Sequence, residues 1–206
     1  MIVDAHAAAG RNLEHITAAA IRGGADVIQL RHKGASSSIL LEQVKRLLAV
    51  TRPAGIPFII NDAVDVAAAS GADGAHVGQD DVSIAEARKR LPPGALVGQS
   101  THSLEQALAS EAAGADYIGV GPIFTTPTKP DYGSVGLELI RQARKRVSIP
   151  FVCIGGIELS NIDEVASAGA GAVAVVRAVC ASADPESAAR LLKERLGKFH
   201  PISRQG

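Results

Sequence analysis

The 206-residue sequence has no excess of either charge, because 21 Lys and Arg balance 21 Asp and Glu. No overall field draws the chain onto nucleic acid or an anionic membrane, so any anion site has to be assembled locally. Long apolar runs are also missing: none approaches the roughly 18–20 residues of a membrane-spanning helix. The start, MIVDAHAAAG, has no basic segment followed by an apolar one. Nothing there marks a secretory signal, and a cytoplasmic protein is expected. Cysteine is scarce, and Cys153 and Cys180 sit inside apolar runs without CxxC or Cys/His spacing. That pattern indicates neither a disulfide framework nor zinc and reads as buried small hydrophobes. The expected partners are small molecules, with no nucleic acid and no membrane, and the sequence leaves a homo-oligomer open.

What is present suits one large core, since 47% of residues are hydrophobic and 20% charged. Three segments echo one another, GGADVIQLR from Gly23, SGADGAHVGQ from Ser70 and AGADYIGVG from Ala113, with AGAGAVAVV from Ala168 a weaker fourth. Each follows a helix-like stretch, so its glycine suits the left-handed residue that ends a helix, and the apolar run after it is strand-sized. Between them lie GIPFIIND, PGALVGQS and SIPFVCIGG, strand candidates each introduced by a proline. With MIVDAH at the start, these give eight strands. Helical patterns such as SSSILLEQVKRLLAV, VSIAEARKRL, SLEQALASEAAG and PESAARLLKERLG follow them. Strict alternation of apolar strands and helices predicts a parallel sheet, and eight units predict a single (β/α)8 TIM barrel. The barrel is expected over residues 1–197, as a catalytic domain, with 198–206 as a C-terminal tail. A doubly wound open sheet is disfavoured because DAHAAAGRN supplies no GxGxxG turn after the first strand.

Active sites of such barrels lie in the loops after the carboxyl ends of the strands. The second strand ends in QLRHK, which puts Gln29, Arg31 and Lys33 on one side, suited to a polyphosphate unless Arg31 is paired with a carboxylate. The third ends in Asn61-Asp62 and the fourth in HVGQDD, with Asp80 and Asp81. Such acids suit magnesium together with phosphate oxygens, or alternatively cap the following helices. His76 reads as a packed core histidine. The fifth strand ends in GQSTHS, which offers Ser100 and Thr101, places His102 in or near the site and gives Ser103 as a helix cap. After the sixth comes GPIFTTPTKPDYG, where prolines stiffen a segment carrying Thr125, Thr126, Thr128 and Lys129. It reads as an anion-holding loop or as a solvated connector. The seventh strand ends in Ile154-Gly155-Gly156 and the eighth in Val175-Val176-Arg177, the usual location of a phosphate monoester site. Two anion sites in one mouth imply group transfer with diphosphate leaving.

These blocks, QLRHK, IINDAVDVA, GADGAHVGQDD, GQSTHS, GADYIGVGPIFTTPTK, IPFVCIGGI and AVAVV, appear in the order of a known family. From about Asp4 to Leu196 the chain resembles thiamine phosphate synthase. The resemblance implies an enzyme of thiamine biosynthesis that joins an aminopyrimidine methyl diphosphate to a thiazole ethyl phosphate, or its carboxylated form, with magnesium. It also implies that diphosphate leaves before the thiazole nitrogen attacks a pyrimidine methylene cation. On this resemblance Gln29, Leu30, Arg31, His32, Lys33, Asn61, Ser100 and Lys129 bind the pyrimidine diphosphate. Arg31, Lys33, Ser100 and Lys129 are the catalytic group among them, and Asp62 and Asp81 hold the metal. Thr126, Pro127 and Thr128 face the thiazole, with Gly156, Val176 and Arg177 around its phosphate.

The chain departs from the pattern of that family in lacking the short lead-in that many members have before the first strand, in Arg177 where serine is common, and in Gln99 where a small apolar residue is common. A thiazole tautomerase with a similar barrel needs only the phosphate pocket and an acid/base group such as His102. A non-catalytic barrel that senses a thiamine precursor needs no metal ligands. Both rivals leave Arg31, Lys33, Asp62, Asp81 and Lys129 without a full set of tasks.

Overall fold

Strands that are apolar on both faces need cover on both, and the chain supplies it by alternating strand and helix. In the computed structural model, which describes residues 1–126 and 133–199, the chain opens with β1 (Ile2–Asp4), α1 (Leu13–Arg22), β2 (Ile28–Arg31), α2 (Ser37–Thr51), β3 (Phe58–Asn61) and α3 (Val64–Ser70). It continues with β4 (Gly74–Val77), α4 (Ile84–Arg90), β5 (Leu96–Thr101), α5 (Leu104–Ala112), β6 (Tyr117–Val120) and α6 (Gly136–Arg146). It ends with β7 (Phe151–Ile154), α7 (Ile162–Ser167), β8 (Val173–Ala174), α8 (Arg177–Cys180) and α9 (Pro185–Phe199). The eight strands pair in parallel in chain order. The backbone N–H of Ile2 donates to the Val175 carbonyl at 3.0 Å and draws the last strand to the first. This is the expected (β/α)8 barrel.

Alternation along the strands separates two environments. Val3, Leu30, Phe58, Ile60, Val77, Val97, Ile118 and Cys153 join Leu47, Ala87, Ile140 and Val165 of the helices in the main core. Their strand neighbours Gln29, Arg31, Asn61, His76, Ser100 and Gly119 turn to the barrel axis and line a cavity. Cys153 and Cys180 are buried and unpaired, as expected. Gln99, whose role the sequence left open, faces the helix layer, where its Oε1 accepts a hydrogen bond from Ser110 Oγ at 2.7 Å.

The repeated Gly-Ala-Asp joints have a physical reason. Gly71 ends α3 in the left-handed region at φ 70°, and Gly24, Gly114 and Gly169 share its positive φ. The aspartates then serve the neighbouring strands. Asp73 Oδ2 accepts the N–H of Phe58 at the start of β3 at 2.7 Å. Asp116 Oδ2 likewise accepts the N–H of Val97 beside β5 at 2.6 Å. At these two joints the carboxylate satisfies a donor at the foot of the strand before its own, whereas Asp26 of the first joint pairs with Lys193 of α9.

Three differences from the sequence reading matter for the site. The acids after β3 and β4 are not helix caps: α3 starts without a side-chain cap, and Ser83 caps α4. Ser103 does cap α5, through the N–H of Gln106 at 3.1 Å. The eighth strand is shorter than expected, so Arg177 is not a strand end but the first residue of the extra helix α8. At the C-terminus α9 runs through Phe199, past the boundary expected at 197.

Asp116→Ala removes a charged acceptor from Val97 N and also from Arg88 Nη2, 2.5 Å away. A loss of about 1.5–3 kcal/mol is expected from urea unfolding. An unchanged midpoint would show that water replaces the carboxylate at that strand foot.

Candidate active site

The first wall of the cavity begins with a buried ion pair. Asp4, at the end of β1, accepts the N–H of Ala7 at 2.8 Å through Oδ1 and takes Arg31 Nη1 on Oδ2. Their side chains are 2% and 12% exposed, so the guanidinium is fixed at the wall and lines the cavity. The carboxylate pairing that the sequence reading treated as an alternative is therefore real. It leaves Arg31 in place as a pre-oriented cation, since a guanidinium has further N–H donors beyond those that meet Asp4.

Beside that wall the acids converge. Asp62 sits at φ 62°, uncommon for a residue with a side chain. Its N–H donates to the His76 carbonyl at 2.8 Å, and its own carbonyl accepts from Val64 at 2.9 Å. This conformation turns its carboxyl toward Lys33 Nζ at 3.3 Å. It also brings Asp62 within hydrogen-bonding reach of Asp81. Burial, followed by the Asp81 charge, pushes the Asp62 carboxyl above its ordinary range, with Lys33 acting in the opposite direction. Asp81 is itself held by the N–H of Gly78 at 2.7 Å, and a Cβ on residue 78 would stand 2.9 Å from its Oδ2. Residue 78 has to lack a side chain for the carboxylate to lie there.

The cavity floor is polar. His76 Nε2 lies 2.9 Å from Ser100 Oγ, and its Nδ1 lies 3.1 Å from Tyr117 Oη. Gly98 makes room for that stack, because a Cβ there would come within 2.2 Å of the Tyr117 ring and 2.6 Å of His76. Gln29, 8% exposed, lines the floor with its Oε1 buried and unpartnered among the described residues. His102 Nδ1 donates to the Gly121 carbonyl at 2.5 Å, which assigns that nitrogen the proton.

The opposite arc is built from backbone. Gly155 and Gly156 follow β7 at φ 100° and 63°. A Cβ on Gly155 would meet Pro122 at 2.4 Å, and one on Gly156 would meet Phe124 at 2.7 Å. The two glycines thus let the turn after β7 press against the start of the loop after β6. Asn161 Nδ2 holds the Gly156 carbonyl at 2.8 Å. Val176 and Arg177 border the same cavity, and among the described residues Arg177 makes no ion pair. Glu186, at the start of α9, pairs with Arg22 at 2.7 Å.

Gln29, Arg31, Asn61, Ser100, Thr126, Gly156, Val176 and Arg177 therefore line one cavity of about 350 Å³. Lys33, Asp62 and Asp81 are brought together beside it. Two of the expected residues are placed elsewhere. Leu30 is fully buried in the main core. His32 bonds Gln43 Oε1 at 2.9 Å and stands edge-on to His6. Pro127, Thr128 and Lys129 lie outside the described residues. The sequence reading missed His76 as a cavity residue. It is buried as expected, but it turns inward, in register with the cavity residue Asn61. Tyr117 was missed as its partner; the signal was the small residue Gly98, which lies opposite Tyr117 in the β5–β6 register.

The donor set also bears on a metal. Among the described residues no group of three or more His, Cys, Asp or Glu gathers, which disfavours an all-protein cage. Two facing carboxylates, one of them half-buried and repelled by the other, instead fit a hard divalent cation that keeps its remaining positions for phosphate oxygens and water.

Fold and site define a (β/α)8 barrel with a cavity at the carboxyl ends of its strands that is bordered by Arg31 and Arg177. The family model for thiamine monophosphate synthase matches residues 1–179, and the chain belongs to that family. A thiamine-phosphate synthase of Chloroflexus aurantiacus is 50% identical over 194 residues, covering 94% of this chain and 89% of that protein. One of Shouchella clausii is 48% identical over 184 residues, covering 89% and 88%. The structure of thiamine phosphate pyrophosphorylase from Pyrococcus furiosus matches with a TM-score of 0.89 at 35% identity, over 97% of this chain and 95% of that one.

Asp4→Asn keeps a partner for Ala7 N but leaves the buried Arg31 charge uncompensated. A destabilisation of about 3–5 kcal/mol is expected in urea unfolding. A loss below about 1 kcal/mol would mean that Arg31 is held by other groups.

Proposed function

We propose that the barrel, residues 1–197, is the catalytic unit of a cytoplasmic transferase that joins an aminopyrimidine methyl diphosphate to a thiazole ethyl phosphate, forming thiamine phosphate and diphosphate. Family membership supports the reaction. The observation that carries the assignment of residues is one cavity bounded by Arg31, Asn61 and Ser100 on one arc and by Gly156 and Arg177 on another. Such a cavity suits two phosphate-bearing substrates held head to head. Among the described residues no helix is long and apolar enough to cross a membrane.

In this reading the pyrimidine diphosphate lies along Gln29, Arg31, Lys33, Asn61 and Ser100, with Lys129 from the loop after β6 at the leaving group. The unpartnered Oε1 of Gln29 offers an acceptor for an N–H of the aminopyrimidine. Magnesium held by Asp62 and Asp81 would neutralise charge on the diphosphate. The thiazole phosphate lies against Thr126, Pro127 and Thr128 and is met by Gly156, Val176 and Arg177. The bond from the pyrimidine methylene carbon to the bridging oxygen breaks, and its electron pair leaves with diphosphate. The thiazole nitrogen then donates its lone pair to the methylene cation, giving a thiazolium with no proton transfer. The protein's task is orientation and charge neutralisation, to which a fixed Arg31 contributes without reorganising. A tautomerase or a sensor would leave the rim cluster of Lys33, Asp62 and Asp81 without a task.

Asp62→Asn and Asp81→Asn are each expected to fold and to lose activity by orders of magnitude, measured as diphosphate release over a magnesium titration. Full turnover of either variant, or of the parent without magnesium, would remove the metal from the proposal.

Arg177→Ser is expected to raise KM for the thiazole phosphate by about tenfold or more, with kcat nearly unchanged, because a phosphate that does not react is bound alike in ground and transition states. A KM within about twofold of the parent would place Arg177 outside the phosphate site.

A further inference from the structure

We propose that Asn161 is a positioning residue that forgoes the cap of its own helix and holds the glycine turn after β7 in the shape that meets a phosphate. This rests on the placement of the thiazole phosphate at Gly156 proposed above. Asn161 stands at the N-cap of α7, a place where an asparagine side chain ordinarily accepts an N–H of the first helical turn. Asn12 does so for α1, through the N–H of His15 at 2.6 Å, and Ser36, Ser83 and Ser103 cap α2, α4 and α5. The side chain of Asn161 makes no such bond. It reaches back instead: Nδ2 donates to the Gly156 carbonyl at 2.8 Å, and Oδ1 accepts the N–H of Glu158 at 2.9 Å.

Both partners are backbone groups with one role each, since a carbonyl only accepts and an N–H only donates, so the amide of Asn161 has a single orientation. Its two bonds straddle Ile157 and tie the turn to the head of α7. There the N–H groups of Asn161 and Ile162 also meet the Glu158 carbonyl, at 3.1 and 3.0 Å. Such a clamp matters because Gly155 and Gly156 both have positive φ, and glycine offers a turn little conformational resistance of its own. The turn takes its shape from the groups that hold its carbonyls. The N–H of Phe124 holds that of Gly155 at 3.0 Å, and Asn161 holds that of Gly156.

In a planar trans peptide the carbonyl and the N–H that follows it point in opposite directions. The bond from Phe124 therefore sets the direction of the Gly156 N–H, and the bond from Asn161 sets that of the Ile157 N–H. Gly156 and Ile157 border the cavity, whereas Asn161 does not. A carbonyl drawn to Asn161 turns away from the cavity and leaves the N–H of its peptide to face it. Successive N–H groups presented in this way suit an anion. The neighbouring Glu158 carboxylate, which would repel a phosphate, accepts from Ser160 Oγ at 2.6 Å.

Asn161→Ser separates the clamp from the cap. Serine begins a helix as well as asparagine does, but one hydroxyl cannot span the Gly156 carbonyl and the Glu158 N–H together. Nitrogen-15 relaxation of the ligand-free protein reads the turn itself. The parent is expected to show amide order parameters of about 0.85 at Gly156 and Ile157, and Asn161→Ser to show values below about 0.6. In steady-state assays Asn161→Ser is expected to raise KM for the thiazole phosphate by about tenfold, because the ligand then has to order the turn that binds it. The kcat and the KM for the pyrimidine diphosphate should stay within about twofold, a split that a loss of helix stability alone would not produce. A mobile turn in the parent overturns the proposal even if the variant fails to fold. A variant whose turn stays rigid, with KM for the thiazole phosphate unchanged, also overturns it and leaves the phosphate placement standing. A variant whose turn becomes mobile without any change in that KM overturns it by removing the phosphate from Gly156.

Discussion

Closure of the ring is the constraint on which the site depends. A parallel sheet left open would expose edge donors and acceptors, and the Ile2–Val175 hydrogen bond links the first strand to the residue that follows the last. Its chemical effect is larger than its energy. Strands that are farthest apart in the chain become neighbours, so the mouth bordered by Ile2 and Arg31 at β1 and β2 is also bordered by Val176 and Arg177 after β8. Residues separated by well over a hundred positions in the chain thus border one cavity.

A chain without net charge builds a cationic wall by fixing charges in place. The Asp4 carboxylate is satisfied inside the barrel by one backbone N–H and one guanidinium, so Arg31 has a single orientation before any ligand arrives. At the rim the logic is reversed. Asp62 occupies an uncommon backbone conformation beside a second carboxylate, and burial and repulsion both oppose its charge. Arrangements of this kind persist when the surrounding hydrogen bonds over-determine them, as the His76 carbonyl and Val64 N–H do here. A cation between the two carboxylates would offset their repulsion and leave the backbone conformation of Asp62 to the hydrogen bonds that hold it.

The architecture was legible because it is periodic. Four glycine joints and the apolar runs between them mark the strands, and the position of each strand end marks the loops that carry chemistry. The site was legible only residue by residue along the chain. Alternation in QLRHK put Gln29 and Arg31 on one side, where they line the cavity, while the family resemblance took in the whole run, including Leu30, which packs in the main core, and His32, which bonds Gln43 of α2. Pairings across the barrel left no local mark. Asp4 with Arg31 and His76 with Tyr117 are joined by register between strands, which no single window contains. The cap alternative for Asp62 failed for a similar reason: its left-handed backbone answers to His76 on the next strand, not to the helix that follows it.

Glycine carries the information that these windows lacked. Gly78, Gly98, Gly155 and Gly156 each stand where a methyl group would strike a particular neighbour: the Asp81 carboxylate, the Tyr117–His76 stack, Pro122 and Phe124. Three of these contacts lie along the cavity and one lies at the metal-fitting rim. The space thus vacated is filled by polar side chains or by exposed backbone rather than by apolar packing. A barrel of this size has little interior to spare. Its cavity exists because the strands and loops around the mouth give up side-chain volume at these places, and on its floor His76 meets Ser100 and Tyr117 in hydrogen bonds. The small residues of the sequence are therefore as much a part of the site as the charged ones, since they decide where the charged ones stand.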